Sequence, residues 1–172
     1  MIDGESKFVK KRKAMTQLEN ISNNTLKLVN DLEKILKNID QNIITTKTNG
    51  QNRTIKQIVG HLCDSASNNT HRIIHLQYQE SPLTFPDYAN FGVNDKWIAI
   101  QDYNNYEWED LINLCKYTNI HIANVIKKID SSKLQNKWIA GTGTQYSLEE
   151  MIVDYPLHFS LHFDEILEII KQ

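Results

Sequence analysis

The chain has 172 residues, a formal net charge of −2, 40% hydrophobic residues and 23% charged residues. That length suits one domain with a buried core, and no apolar stretch is long enough to span a bilayer. Without a clustered basic excess there is no electrostatic case for a nucleic-acid surface, so neither a nucleic acid nor a membrane is expected as a partner.

The first dense feature is the basic run "KFVKKRK", residues 7–13. It lacks the apolar core of a secretion signal and reads as a solvated tail. Residues 1–14 are therefore expected to be an extension, and residues 15–172 the domain. From Leu18 the apolar residues Ile21, Leu26, Val29, Leu32 and Leu36 recur at three- to five-residue steps, which predicts a first helix over roughly 14–38. Thr54 with Gln57 has capping-box spacing, and Ile55, Ile58, Val59, Leu62, Ala66 and Ile73 carry a second helix to about Gln77.

Between Ser81 and Asn105, Pro82, Pro86, Tyr88, Phe91, Gly92 and Trp97 predict a long ordered loop with one short helical turn. A third helix follows on Trp108, Leu111, Ile112, Cys115, Ile122, Val125, Ile126 and Ile129. "GTGTQYS" is a turn, and no Lys-Ser/Thr follows it to make a phosphate-binding loop. Ser147 and Glu150 repeat the capping-box spacing and open a fourth helix through Met151, Ile152, Tyr155, Phe159, Ile166 and Ile170. Pro156 lies inside it and is expected to kink or restart the helix just ahead of His158. The fold class is all-α, a four-helix bundle with a long loop between helices two and three. Cys63 and Cys115 fall inside helical patterns and read as buried small apolar residues in a reduced, cytoplasmic setting.

The chemistry is carried by where polar residues meet the apolar stripes. On helix two, His61, Asp64, Ser65, Asn68 and Arg72 share an arc of about 100° beside the core face. On helix four, His158 and His162 lie about 40° apart on the inward side. A single histidine on such a face is usually a hydrogen-bonded core residue. Two at i, i+4 with a third across the bundle instead suit one divalent ion, because neutral imidazoles project side by side from successive turns. Three histidines with an open position are the pattern of catalytic zinc. His71, His75 and His121 fall off the inward faces and are expected to be exposed or loosely packed. The zinc-protease HExxH, the di-iron ExxH and the deaminase signatures are absent.

The segments "HLCDSASNNTHR", "ESPLTFPDY", "DKW" and "DYPLHFSLHFDEI" together resemble the DinB-like superfamily, and within it the YfiT-type branch of metal-dependent hydrolases. The resemblance covers nearly the whole chain from about residue 15. It implies a four-helix bundle with a long crossover, and a divalent ion, zinc or nickel, held by His61, His158 and His162. Relatives of that kind include S-transferases that use low-molecular-weight thiols such as bacillithiol, and mycothiol-dependent isomerases. Homodimerisation is also typical of them.

On this reading the ion activates water for hydrolysis or a thiol for transfer. Asp64 and Glu165 are candidates to orient an imidazole or accept a proton, and Asn68, Arg72, Tyr88 and Trp97 are candidate substrate-binding residues. The alternative is a non-catalytic, stress-associated metal-binding bundle.

Overall fold

The computed structural model describes residues 6–88 and 92–172, so residues 1–5 of the expected tail and Phe91 of the expected loop lie outside the described residues. Its elements are α1 (Lys7–Leu36), α2 (Gln41–Thr46), α3 (Ile55–Tyr78), β1 (Leu83–Thr84), α4 (Val93–Gln101), α5 (Trp108–Lys127), β2 (Lys137–Ile139), β3 (Gln145–Ser147) and α6 (Leu148–Ile170). Single 3₁₀ turns at Tyr103–Asn105 and Ser131–Lys133 complete them. Among the described residues 72% are helical, and α1, α3, α5 and α6 form the expected four-helix bundle, with a small sheet added.

Both capping boxes form as their spacing predicts. Thr54 Oγ1 accepts from Gln57 N while Gln57 Oε1 accepts from Thr54 N, and Ser147 and Glu150 do the same. Each box satisfies N–H groups that the first helical turn would otherwise leave bare. At the start of α6, Leu148 N and Glu149 N also donate to the carbonyls of Asn136 and Leu134.

α5 packs on both α1 and α3, and α6 packs on the same two. α1 and α3 therefore lie across a diagonal, and the seam between α3 and α6 brings the two histidine-bearing helices side by side. The core has two apolar clusters. One is centred on Leu32, Ile58, Leu62, Leu111 and Phe159, the other on Ala66, Ile73, Ile122, Ile126, Leu148 and Tyr155. At one end β2 pairs parallel with β1 (Leu83 with Trp138) and antiparallel with β3. Among the described residues no helix is long and apolar enough to cross a membrane.

Four expectations need correction. α1 begins at Lys7, capped by Ser6, so residues 7–14 of the expected extension, the basic run included, are helical and continue into the first bundle helix. Lys, Arg and Glu are good helix formers, and an amphipathic helix can run past its buried part into solvent. α2, a six-residue helix capped by Asp40, is a further element. The 81–105 stretch holds a strand and the nine-residue α4, bounded by left-handed residues at Gly92 (φ 72°) and Asp102 (φ 49°). Finally, α6 does not restart at Pro156 but runs as one helix from Leu148 to Ile170. Pro156 costs one backbone donor, but its ring is buried, and the turns on either side are anchored by Tyr155 and Phe159 in the core.

Candidate metal centre

His61 stands in the second turn of α3, and His158 and His162 stand on successive turns of α6, facing it. The Nε2 atoms of His61 and His158 are 3.4 Å apart, and those of His158 and His162 are 3.1 Å apart. One ligand atom from each ring lies within 4.8 Å of the other two, and His61 and His162 are buried. For comparison, a tetrahedral ion with metal–nitrogen bonds of about 2.0–2.1 Å would hold its nitrogens about 3.3 Å apart.

The outer nitrogens are already engaged. His162 Nδ1 meets Glu165 Oε2 at 2.9 Å, and an ionised carboxylate only accepts, so the ring carries its proton there. Contact with His162 in turn holds the Glu165 carboxyl below the usual carboxylate range. His61 Nδ1 lies 2.8 Å from the Tyr88 hydroxyl, which is also 3.3 Å from the His61 carbonyl. A hydroxyl that donates to the carbonyl is left to accept from Nδ1–H. Both rings then turn bare Nε2 lone pairs toward the centre. A proton on His158 Nε2 can bridge only one of the two gaps.

Protons are also resisted. Burial first, then His162 and His158, with the Arg53 charge behind them, push His61 down to about 2. Burial and His162 push His158 down to about 4. Three imidazole nitrogens converging, two of them on rings whose protonation burial disfavours, suit a divalent cation.

The other candidate residues are placed as follows. Glu165 touches His162 and also accepts from Asn49 Nδ2 at 3.0 Å. Tyr88 is buried, and its hydroxyl lies against His61; Trp97, half exposed, packs edge-on against the Tyr88 ring with centroids 5.1 Å apart. Asp64 makes its side-chain hydrogen bonds to the segment after α3. Its Oδ1 accepts from Tyr103 OH and Gln101 Nε2, each at 2.7 Å, and its buried Oδ2 has no hydrogen-bond partner. Burial raises its pKa.

Asn68 and Arg72 stand about 10 and 16 Å further along the α3 axis than His61. Asn68 donates to the Asp64 carbonyl, and the Arg72 guanidinium lies 4.4 Å from the centre of the Trp138 ring. The structure does not bring these two to the triad. His71 and His121 are exposed and His75 is half-buried, as expected, and both cysteines are buried and free. The open groove between α3 and α5, lined in part by Ser67, Leu114 and Tyr117, contains none of the triad.

Sequence reasoning missed Arg53 and Asn49. Arg53 is buried and donates through Nε and Nη2 to Asp95 Oδ1 of α4, at 3.1 and 2.5 Å. Its charge reaches His61, Tyr88 and Glu165. The Asn-Gly pair at 49–50 marks a turn, but nothing local marks its contact with residue 165.

No family sequence model matches the chain, and no curated protein matches it significantly in sequence. Solved structures do. YfiT from Bacillus subtilis, described as a probable metal-dependent hydrolase with an unusual four-helix bundle topology, superposes with a TM-score of 0.68 at 18% identity, covering 98% of this chain and 90% of its own. The mycothiol-dependent maleylpyruvate isomerase superposes with a TM-score of 0.70 at 12% identity, covering 86% of this chain. A variant of that isomerase matches equally well at 11% identity. This chain spans 60% of the isomerase's length. The likeness is one of fold, the four-helix bundle.

Proposed function

We propose that this DinB-like bundle is a metal-dependent enzyme in which His61, His158 and His162 hold one divalent ion, zinc or nickel. The observation that carries the reading is the meeting of three Nε2 atoms whose rings are aimed from behind, His61 by Tyr88 and His162 by Glu165. When bound, a divalent ion on three neutral imidazoles keeps its full charge and acidifies a water or thiol at its open position. The chain's own residues do the rest. Tyr88 and Glu165 hold the two rings in the tautomers that leave Nε2 free. Burial of His61 and His162 keeps competing water from two of the three donors. Tyr88 lies against His61 and Trp97 packs on Tyr88, and in this proposal the two form the wall that a substrate meets on the His61 side.

The reaction is hydrolysis or transfer of a low-molecular-weight thiol of the bacillithiol type. The hydrolase reading is supported by the fold shared with YfiT, and the thiol reading by the fold shared with the mycothiol-dependent isomerase. Asp64, Asn68 and Arg72 belong to this proposal only as parts of the α3 scaffold.

The test is elemental analysis of the purified chain after supplementation, with ester-hydrolysis and thiol-transfer panels run with and without chelator. Near one metal per chain, with turnover lost in chelator and in His158→Ala, is expected. Stoichiometric metal without turnover on any panel would instead favour the non-catalytic bundle. Metal below about 0.1 per chain would end both readings.

A further inference from the structure

The connection between α2 and α3 is a tight loop. A bridge between Thr48 and Thr54 closes its base, Asn49 N donates to the Arg53 carbonyl, and Asn52 N donates to the Asn49 carbonyl. Within it the Asn49 side-chain oxygen accepts from Gln51 N and Arg53 N, both at 3.0 Å. These contacts account for the loop, and they use only the oxygen end of the amide. The nitrogen end leaves the loop and donates at 3.0 Å to Glu165 Oε2, on α6. That is the same carboxylate oxygen that receives His162 Nδ1–H at 2.9 Å.

A glutamate on a helix surface has three side-chain torsions and solvent within reach, so a single contact with an imidazole does not fix its direction. A second donor on the shared oxygen, anchored in a closed loop, does. We infer that Asn49 is a positioning residue: through Glu165 it aligns the His162 ring so that Nε2 points at the other two imidazoles. This rests on the metal-binding reading above and adds to it a loop contact remote from the ligands in sequence. Outer contacts of this kind set ring orientation and the basicity of the ligand nitrogen.

The test uses the full chain with zinc(II) and cobalt(II) as probes, following affinity by competition with a chelating dye and geometry by the visible cobalt spectrum. Asn49→Ser keeps a short oxygen acceptor for Gln51 N and Arg53 N but cannot reach Glu165. Its expected effects are an affinity loss of about three- to tenfold, an altered cobalt spectrum, and a metal-free Tm within about 2 °C of wild type. Glu165→Ala should lose about 10- to 100-fold, and adding Asn49→Ser in that background should change nothing more.

Wild-type affinity and spectrum in Asn49→Ser would overturn the inference, as would an equal loss in the presence and absence of Glu165. Asn49→Thr repeats the comparison with a second oxygen-bearing side chain. Loss of helix content in both variants would make the role structural and overturn it too. A wild-type chain that takes up neither metal defeats the underlying reading instead, so the two failures are told apart.

Discussion

At the scale of single residues, the three imidazoles differ in how they are held. His162 is backed by a carboxylate that itself has a second donor, whereas His61 is backed by one phenol from the segment after β1. Tyr88→Phe removes that hydroxyl and leaves His61 free to place its proton on either nitrogen. Metal affinity should fall about tenfold while stability changes by about 1 kcal/mol, measured by dye competition and urea unfolding. Unchanged affinity would show that packing alone orients His61. The same burial makes the metal-free protein sensitive to acid. His61 is pushed down to about 2 and His158 to about 4, whereas both titrate near 6.5 in the unfolded chain. Below 6.5 the unfolded state takes up protons that the native rings refuse, so stability is full above that pH and declines as pH falls toward 4. Between about pH 6.5 and 5 the loss is on the order of 2 kcal/mol per ring. Urea midpoints of the metal-free protein at those two pH values check this, and equal midpoints would contradict it.

At the scale of elements, α3 is held against the α4–α5 connection by a contact that depends on a glycine. A Cβ on Gly60 would lie 2.1–2.4 Å from the Tyr103 ring, and the Tyr103 hydroxyl is one of the two donors to Asp64. Helix propensity favours Gly60→Ala by about 1 kcal/mol, but the ring is almost fully buried and has little room to retreat. Overpacking of this sort costs about 1–3 kcal/mol, so the variant should be destabilised, with the loss partly relieved when Tyr103→Ala is added. Urea unfolding of the two single variants and the double variant measures it. A stabilised Gly60→Ala would mean that the 3₁₀ turn carrying Tyr103 moves freely. α6 is tied in elsewhere: Tyr155 OH donates to Asn119 Oδ1, and Asn119 Nδ2 donates to the Cys115 carbonyl. That buried tie, one turn before His158, helps carry the helix past Pro156.

At the scale of the whole molecule, the two apolar clusters draw on α1, α3, α5 and α6 through side chains such as Leu32, Leu62, Leu111 and Phe159, so the bundle has a hydrophobic core apart from any ion. Chelator should leave the far-UV helix signal intact. Zinc at about 100 times its Kd should add about 2.7 kcal/mol, near 5–10 °C in Tm for a domain of this size. Helix loss on chelation would mark the ion as structural. What the sequence determined by itself is local and periodic: both capping boxes, the apolar stripes of the long helices, and the inward register of His158 and His162. Helical period reports which face of a segment is buried, because the core side repeats every 3.6 residues. It does not report what lies opposite that face. The diagonal placing of α1 and α3, the pairing of β1 with β2, and the course of α6 through Pro156 were therefore decided by tertiary structure. So were the contacts of Tyr88 with His61, Arg53 with Asp95 and Asn49 with Glu165. Each joins segments whose proximity follows from how the helices pack, a cooperative property of the folded chain to which no single stretch of sequence corresponds.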